Sequence, residues 1–232
     1  MRKGVENMGN ESGQNFQRRH QQIPLAVIKR LPVYHRYLSD LHQKEVARIS
    51  SSELAAKIGI TASQLRQDLS WFGSFGQQGY GYRVDELLRE VSRILGLNQN
   101  IGMVLVGAGR LGRAIIHYAN FKRRGFHTKA IFDNNPEIVG QIIDGIPVYD
   151  ISELENYLKN HSIQIGVITT PATVAQEVAD RLVRSGIKGI WNFAPVSLKV
   201  PDDVIVEHVH IGESLMVLSM KLQQRKASGP DS

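Results

Sequence analysis

Ile101-Gly-Met-Val-Leu-Val106, followed without a break by Gly107-Ala-Gly-Arg-Leu-Gly112, is the stretch that decides the fold. The first half is an apolar run of strand length, and the second is G-x-G-x-x-G. That glycine spacing has a mechanism when it follows a strand and opens a helix, here expected over Arg110 to Phe121. Gly107 makes the turn, Gly109 lets a pyrophosphate approach the backbone, and Gly112 lets helix and strand pack closely. The helix start adds amide donors and a partial positive charge. Ala108, Arg110 and Leu111 therefore join the three glycines as candidate cofactor contacts, with Arg110 expected along the pyrophosphate.

Beyond the loop, short apolar runs alternate with amphipathic ones. Strands are expected over Ala130 to Asp133, Ile165 to Thr169, Gly189 to Phe193 and Val204 to His208. Helices are expected over Ser152 to Lys159 and Ala172 to Ser185. This alternation predicts an α/β unit with a Rossmann-type parallel sheet covered on both faces. Asp133 ends the second strand, 26 residues after Gly107. A carboxylate there accepts hydrogen bonds from a ribose 2′-OH and repels a 2′-phosphate, so NAD is expected over NADP. Thr169-Thr170-Pro171-Ala172 ends a later strand and opens a helix, a further contact at the cofactor crevice. Asn192-Phe193-Ala194-Pro195 ends the next and falls near the nicotinamide. His208 and His210 share a strand face, but no third ligand is close in sequence, so no metal site is expected. Asp144-Gly145 is a turn.

The final helix, Gly212 to Arg225, carries Leu215, Met216, Val217, Leu218, Met220 and Leu222 nearly all round, and so needs more than one burying surface.

Upstream of the strand the composition is different. Twelve basic and six acidic residues fall within 1–84, against sixteen of each beyond, so the whole formal excess of +6 lies in the N-terminal third. A basic segment beside a neutral one suggests a polyanion-binding module. Residues 1–22 are polar and read as a disordered arm without the apolar core of a secretory signal. Ile23 to Leu41 reads as a helix with a stripe of Ile28, Leu31, Leu38 and Leu41. Pro32 interrupts it and suits a helix start. Ser50 to Glu53 and Thr61 to Gln64 are capping boxes. They frame two short helices separated by Gly59, with Ala55 small where the helices must touch and Ile60 and Leu65 plugging the core. This is helix-turn-helix logic. The outward positions of the second helix are Ser63, Gln64, Arg66, Gln67 and Ser70. Arg pairs with guanine and Gln with adenine in the major groove. Four glycines between Gly73 and Gly81, interleaved with Phe75, Tyr80 and Tyr82, exclude a helix and predict a β-ribbon, a wing whose Gly79 and Tyr80 meet DNA. Asp85 to Leu95 is helical again, and Gly96 to Asn100 reads as a hinge. The expected division is a winged helix over 23–95, a Rossmann unit over 96–211 and a tail over 212–232.

The composition, 42% hydrophobic and 22% charged, is that of an ordinary folded chain. Without cysteine there is no disulfide framework or thiolate zinc site, and no apolar run reaches the roughly 18 residues of a membrane span. A cytoplasmic protein is expected.

In order, Thr61 to Gly73 (TASQLRQDLSWFG), Gly76 to Tyr82 (GQQGYGY), the GAGRLG loop and Asn192-Phe-Ala-Pro195 resemble the redox-sensing transcriptional repressor Rex family, from about Ile23 to the tail helix. The resemblance implies a homodimer that holds a palindromic operator when NAD⁺-bound or free and is released by NADH. It also implies tail helices exchanged between subunits, with Ile211 beside the partner's nicotinamide and Tyr118 near the ring. A redox linkage through an Arg, a Tyr and an Asp maps onto Arg36, Tyr118 and, in place of the Asp, His210, or His208 if the register slips. A neutral His makes no equivalent charge pair with Arg36. Gln67 stands where the family's recognition helix usually has Lys. Two rivals from other classes are an NAD-dependent dehydrogenase and a CoA-binding regulator. Only 37 residues follow Pro195, too few for a substrate domain, and no His–acid pair is evident, so no catalytic residue is assigned. Asp133 would repel the ribose 3′-phosphate of CoA.

Overall fold

A computed structural model describes residues 23–73, 75, 80–97, 99–118 and 120–227. The expected arm, and Gly79 of the expected wing, lie outside the described residues. The chain divides into two compact units, residues 1–98 and 99–232.

In the first unit, α1 (Leu25–Gln43) runs straight through Pro32 rather than starting there. An internal proline costs about 3 kcal/mol. Val27, Leu31, Tyr34, Leu38 and Leu41 lie buried along one face, and burying each large side chain contributes about 1.5–3 kcal/mol, which outweighs that cost. The true stripe uses Val27 and Tyr34, and Ile28 is exposed. A two-residue strand β1 (Arg48–Ile49) leads to α2 (Ser51–Ile58). The Ser50 box is complete: Ser50 Oγ accepts from Glu53 N at 3.1 Å and Glu53 Oε2 from Ser50 N at 2.9 Å. Gly59 ends α2 in the left-handed region, at φ +82°. Thr61 caps α3 (Ala62–Ser70), but one way only. Its hydroxyl takes Gln64 N, while the Gln64 side chain turns elsewhere. β2 (Tyr82–Arg83) then pairs antiparallel with β1, and α4 (Val84–Ile94) packs Leu87 and Val91 into the same core as α1.

The second unit is a seven-stranded sheet. Its strands are β3 (Ile101–Val106), β4 (Phe126–Asp133), β5 (Ile142–Ile143), β6 (Ile146–Asp150), β7 (Ile165–Ile168), β8 (Gly189–Asn192) and β9 (Ile205–His208). They lie in the order β5-β6-β4-β3-β7-β8-β9, all parallel except β5 at one edge. Without β5 this is the order of a doubly wound dinucleotide fold, which reverses between β3 and β7. Val104, Val106, Phe132 and Ile168 face one side, under α7 (Leu154–Asn160) and α8 (Ala172–Arg184). Met103, Leu105, Ile131 and Val167 face the other, where α5 (Arg110–Ile116) supplies Ile115 and Ile116. The expected helix to Phe121 breaks: α5 stops at Ile116, and a separate turn, α6 (Asn120–Arg123), follows. The tail helix is α9 (Glu213–Ala227).

Candidate functional site

In the first unit, α3 follows α2 across the Gly59 turn, and its outer face carries Ser63, Arg66, Gln67 and Ser70, all exposed. Arg66 Nη1 donates to Ser51 Oγ at 3.0 Å, and Ser70 Oγ donates to the carbonyl of Gln67 at 2.7 Å. Trp71 caps the C-terminal end of α3 and is partly exposed. Gln64 departs from the outward row. It is half-buried and donates from Nε2 to Asp68 Oδ1 at 2.8 Å. Asp68 is fully buried. It also receives Arg30 Nε at 2.5 Å and Nη2 at 2.8 Å, and the Tyr34 hydroxyl. Burial alone would raise the Asp68 carboxyl, but the donors from Arg30, Tyr34 and Gln64 outweigh it and hold the group below its ordinary value. Hydrogen bonding to Asp68 raises Arg30. Burial, then Asp68, raises Tyr34. The carboxylate therefore stays ionised and ties α1 to α3.

Just before β2, Tyr80 is 70% exposed, and Arg48 Nη1 holds its carbonyl at 3.2 Å. Gly81 has φ +69°, and a Cβ there would lie 2.6 Å from the Ile49 carbonyl oxygen, so the approach to the β1–β2 pair requires glycine.

In the second unit, register brings the predicted residues together. Val106 pairs with Phe132 on one side and Ile168 on the other, and Ile168 pairs with Asn192. Asp133, Gly107, Thr169 and Phe193 thus stand in one row along the carboxyl edge of the sheet, at the point where strand order reverses. Gly107 has φ +100°, and a Cβ there would sit 3.0 Å from the Thr169 carbonyl. A Cβ on Gly112 would run into the Gly107 carbonyl oxygen. Thr169 Oγ1 donates to that same carbonyl at 2.6 Å. Gly109 differs: its Cβ would meet nothing within 4 Å. The space above it is a cradle. Ala108 N donates to Asp133 Oδ2 at 2.6 Å and Asn135 N to Oδ1 at 2.9 Å, so the carboxylate is fixed at the loop and keeps lone pairs for another donor. Arg113, which sequence reasoning passed over, donates from Nε to the Ala108 carbonyl at 3.0 Å. Arg110 and Pro171 are exposed, and Leu111 is half-buried. Thr170 Oγ1 is buried and has no hydrogen-bond partner among the described residues.

Asn192, expected near the nicotinamide, ends β8 at the same edge of the sheet. It is fully buried, and its amide is consumed internally. Nδ2 lies 2.8 Å from the Val196 carbonyl and 3.0 Å from His208 Nδ1, and Oδ1 accepts from Ala194 N at 3.0 Å. It shapes the turn that sets out Phe193 rather than offering its own amide. Phe193 packs against Trp191 at 4.5 Å, Trp191 against Phe121 at 5.4 Å, and Phe121 against Tyr118 at 4.9 Å. Sequence gave no signal for Trp191 and Phe121, yet they join the two predicted aromatics into one row. Beside it lies an apolar hollow of about 330 Å³, lined by Met103, Phe121, Phe126, Ile165, Trp191 and Ile205 among others. His208 and His210 stack with parallel rings at 5.9 Å, and no group of metal-ligating residues forms among the described residues. Ile211 and His210 are exposed, and Arg36, in the first unit, lies 5.1 Å over the Tyr37 ring. No helix among the described residues is long and apolar enough to cross a membrane.

A helix-turn-helix unit joined to a doubly wound dinucleotide-type unit defines the class: a ligand-responsive transcription regulator. Residues 22–70 match the family described as "Putative DNA-binding protein N-terminus" and residues 98–196 that described as "CoA binding domain". The redox-sensing transcriptional repressor Rex of Clostridium beijerinckii is 53% identical, covering 90% of this chain and 99% of its own length. That of Thermoanaerobacter pseudethanolicus is 51% identical, with 88% and 91% covered. Among solved structures, RSP, a Rex-family repressor, in complex with NADH is 47% identical with a TM-score of 0.83, over 89% of this chain and 97% of that one. RSP with NAD⁺ and operator DNA is 49% identical with a TM-score of 0.83, over 90% and 99%. The chain belongs to the redox-sensing transcriptional repressor Rex family.

Proposed function

We propose that this chain is a redox-sensing repressor that holds operator DNA when NAD⁺-bound or free and releases it when NADH replaces NAD⁺. The observation that carries the reading is the open cradle over Gly109 beside the unpartnered Thr170 hydroxyl, in a chain that carries a reading helix and belongs to the Rex family. A bare backbone approach, an orphaned buried donor and a fixed carboxylate at Asp133 fit an adenine dinucleotide without a 2′-phosphate. Gly107 to Gly112 and Thr169 to Pro171 would hold the pyrophosphate side, Asp133 the ribose, and Tyr118 and Phe193 the ring end. The CoA reading suggested by the second family match is disfavoured by the same carboxylate, which repels a 3′-phosphate.

The nicotinamide ring supplies the signal, being cationic when oxidised and neutral when reduced. The aromatic row from Phe193 to Tyr118 offers it an apolar wall, and desolvating a cation there is unfavourable. That difference must bias two dimer geometries. A 1:99 to 99:1 reversal needs about 5.5 kcal/mol.

The dimer is the second part of the proposal. Along α9, Leu215, Met216, Val217, Leu218, Met220 and Leu222 are 52–71% exposed, an apolar surface too large for a lone chain. A second copy of the chain covers it, with the tail helix exchanged between subunits and Ile211 reaching the partner's ring site. Two copies fit a palindromic operator whose half-sites lie about one helical turn apart. Arg36, Tyr118 and His210 are the residues through which cofactor and DNA binding would be coupled, His210 without the charge pair that an Asp would make with Arg36. The protein acts in the cytoplasm, and it turns over no substrate.

The test is fluorescence anisotropy of a labelled palindromic operator, with NAD⁺ and NADH varied independently. NADH should strip the protein from DNA and NAD⁺ should not. Undiminished binding at saturating NADH would overturn the reading. CoA that competes with NADH would move the ligand assignment, and loss of NADH absorbance with oxo-acids would make the chain a dehydrogenase.

A further inference from the structure

We infer that Asp68 is a specificity-positioning residue: it fixes the Gln64 side-chain amide with its carbonyl oxygen turned toward DNA. The inference rests on α3 being the helix that reads DNA.

Gln64 and Asp68 are one helical turn apart on α3, so their side chains meet. Asp68 is buried and receives Arg30, Tyr34 and Gln64 together. An ionised carboxylate only accepts hydrogen bonds. The group Gln64 turns toward it must therefore be the NH2, which removes the usual ambiguity between the two ends of an amide. Among the described residues, none donates to Gln64 Oε1. Gln64 is half-exposed on a helix whose neighbours Ser63 and Gln67 point out, so the end left for a ligand is the acceptor. In the major groove, acceptors recognise the exocyclic amino groups of adenine N6 and cytosine N4, whereas guanine O6 and thymine O4 call for donors. A free glutamine presents either end. One locked by Asp68 discriminates amino bases from keto bases. Arg30 and Tyr34 hold the carboxylate still, so the preference is set on α1, which carries no base-reading side chain in this scheme.

The experiment uses the full chain without NADH and a set of operator duplexes in which each base pair facing α3 is varied in turn. The wild type is expected to prefer adenine or cytosine over guanine or thymine on one strand at one position, by roughly tenfold, the cost of one mismatched pair. Gln64→Ala should erase that ratio and leave the ratios at other positions intact. In Asp68→Asn the donors Arg30 Nε and Tyr34 claim the carbonyl oxygen at the Oδ2 position, which leaves the NH2 facing Gln64, so Gln64 turns round and the preference at the same position should move to guanine or thymine. If Asp68→Asn weakens binding equally for every duplex and the ratio stays, Asp68 is a packing residue and the inference fails. It fails also if Gln64→Ala keeps the ratio. Wild-type protein that binds no operator at all would instead remove α3 as the reading helix.

Should Asp68→Asn fail to fold, the wild type supplies the readout. Its Gln64 side-chain amide protons are identified in NMR spectra by their loss in Gln64→Ala. One of them should exchange slowly and shift as acid titrates Asp68. Two rapidly exchanging protons would overturn the inference.

Discussion

Replacing Gly109 by Ala separates the cofactor cradle from the fold. Gly109 has φ −64° and ψ −169°, a conformation open to alanine, and its Cβ would touch nothing within 4 Å. The substitution should therefore change stability by no more than about 0.5 kcal/mol, below about 2 °C in melting temperature. The added methyl stands where the pyrophosphate approaches the loop. An overpacked group costs about 1–3 kcal/mol, which is a loss of roughly 5- to 150-fold in NADH affinity. Gly112→Ala is the contrast. Its methyl would strike the Gly107 carbonyl and lie 3.0 Å from Thr169 Oγ1 in the protein alone. It should lower the melting temperature by about 2–12 °C as well as weaken NADH. Calorimetric titration with NADH, paired with thermal denaturation of the same samples, measures both. Gly109→Ala protein that binds NADH as tightly as the wild type would show that the dinucleotide does not pass over this loop.

Three further outcomes are expected. Gln67→Lys adds a cation to the exposed face of α3, so operator binding should tighten and the slope of log K against log salt should steepen by about one; an unchanged slope would place position 67 away from the phosphates. Asp68 is held below its ordinary value of 3.8, so its contribution to stability is full above that value and drains away as pH falls toward the folded value. Urea midpoints followed down an acid series should show a drop that Asp68→Asn flattens. Leu218→Glu puts a charge on the apolar surface of α9, and sedimentation should show the dimer converted to monomer with the fold intact by circular dichroism.

What sequence revealed and what it hid have physical reasons. The GAGRLG loop was legible because each glycine answers a local demand, a turn or a close approach that no side chain permits. The β5–β6 hairpin was not, although its Asp144-Gly145 turn was, because two residues on one arm carry no periodicity. Pro32 suggested a helix start by a local rule, but the buried row Val27, Leu31 and Tyr34 overrode it through tertiary packing. Asn192 and Gln64 show a different limit. An amide in a sequence reads as a ligand group, and only coordinates reveal which of its atoms are already bonded, both ends at Asn192 and the NH2 alone at Gln64. For Gln64 there was a usable sign, an Asp one turn later between Leu65 and Leu69, where a charge sits on an apolar stripe and must be answered by other residues. Trp191 and Phe121, seventy residues apart, had none.

The chain's two tryptophans fall one to each unit, Trp71 at the end of α3 and Trp191 within the aromatic row. Indole emission overlaps the absorption of reduced nicotinamide and not that of the oxidised ring. Each unit thus contains a built-in optical probe. With Trp71→Phe the remaining light reports which form of the cofactor is seated, and with Trp191→Phe it reports the DNA end, so the order in which the two ends respond is readable in time without attaching a dye.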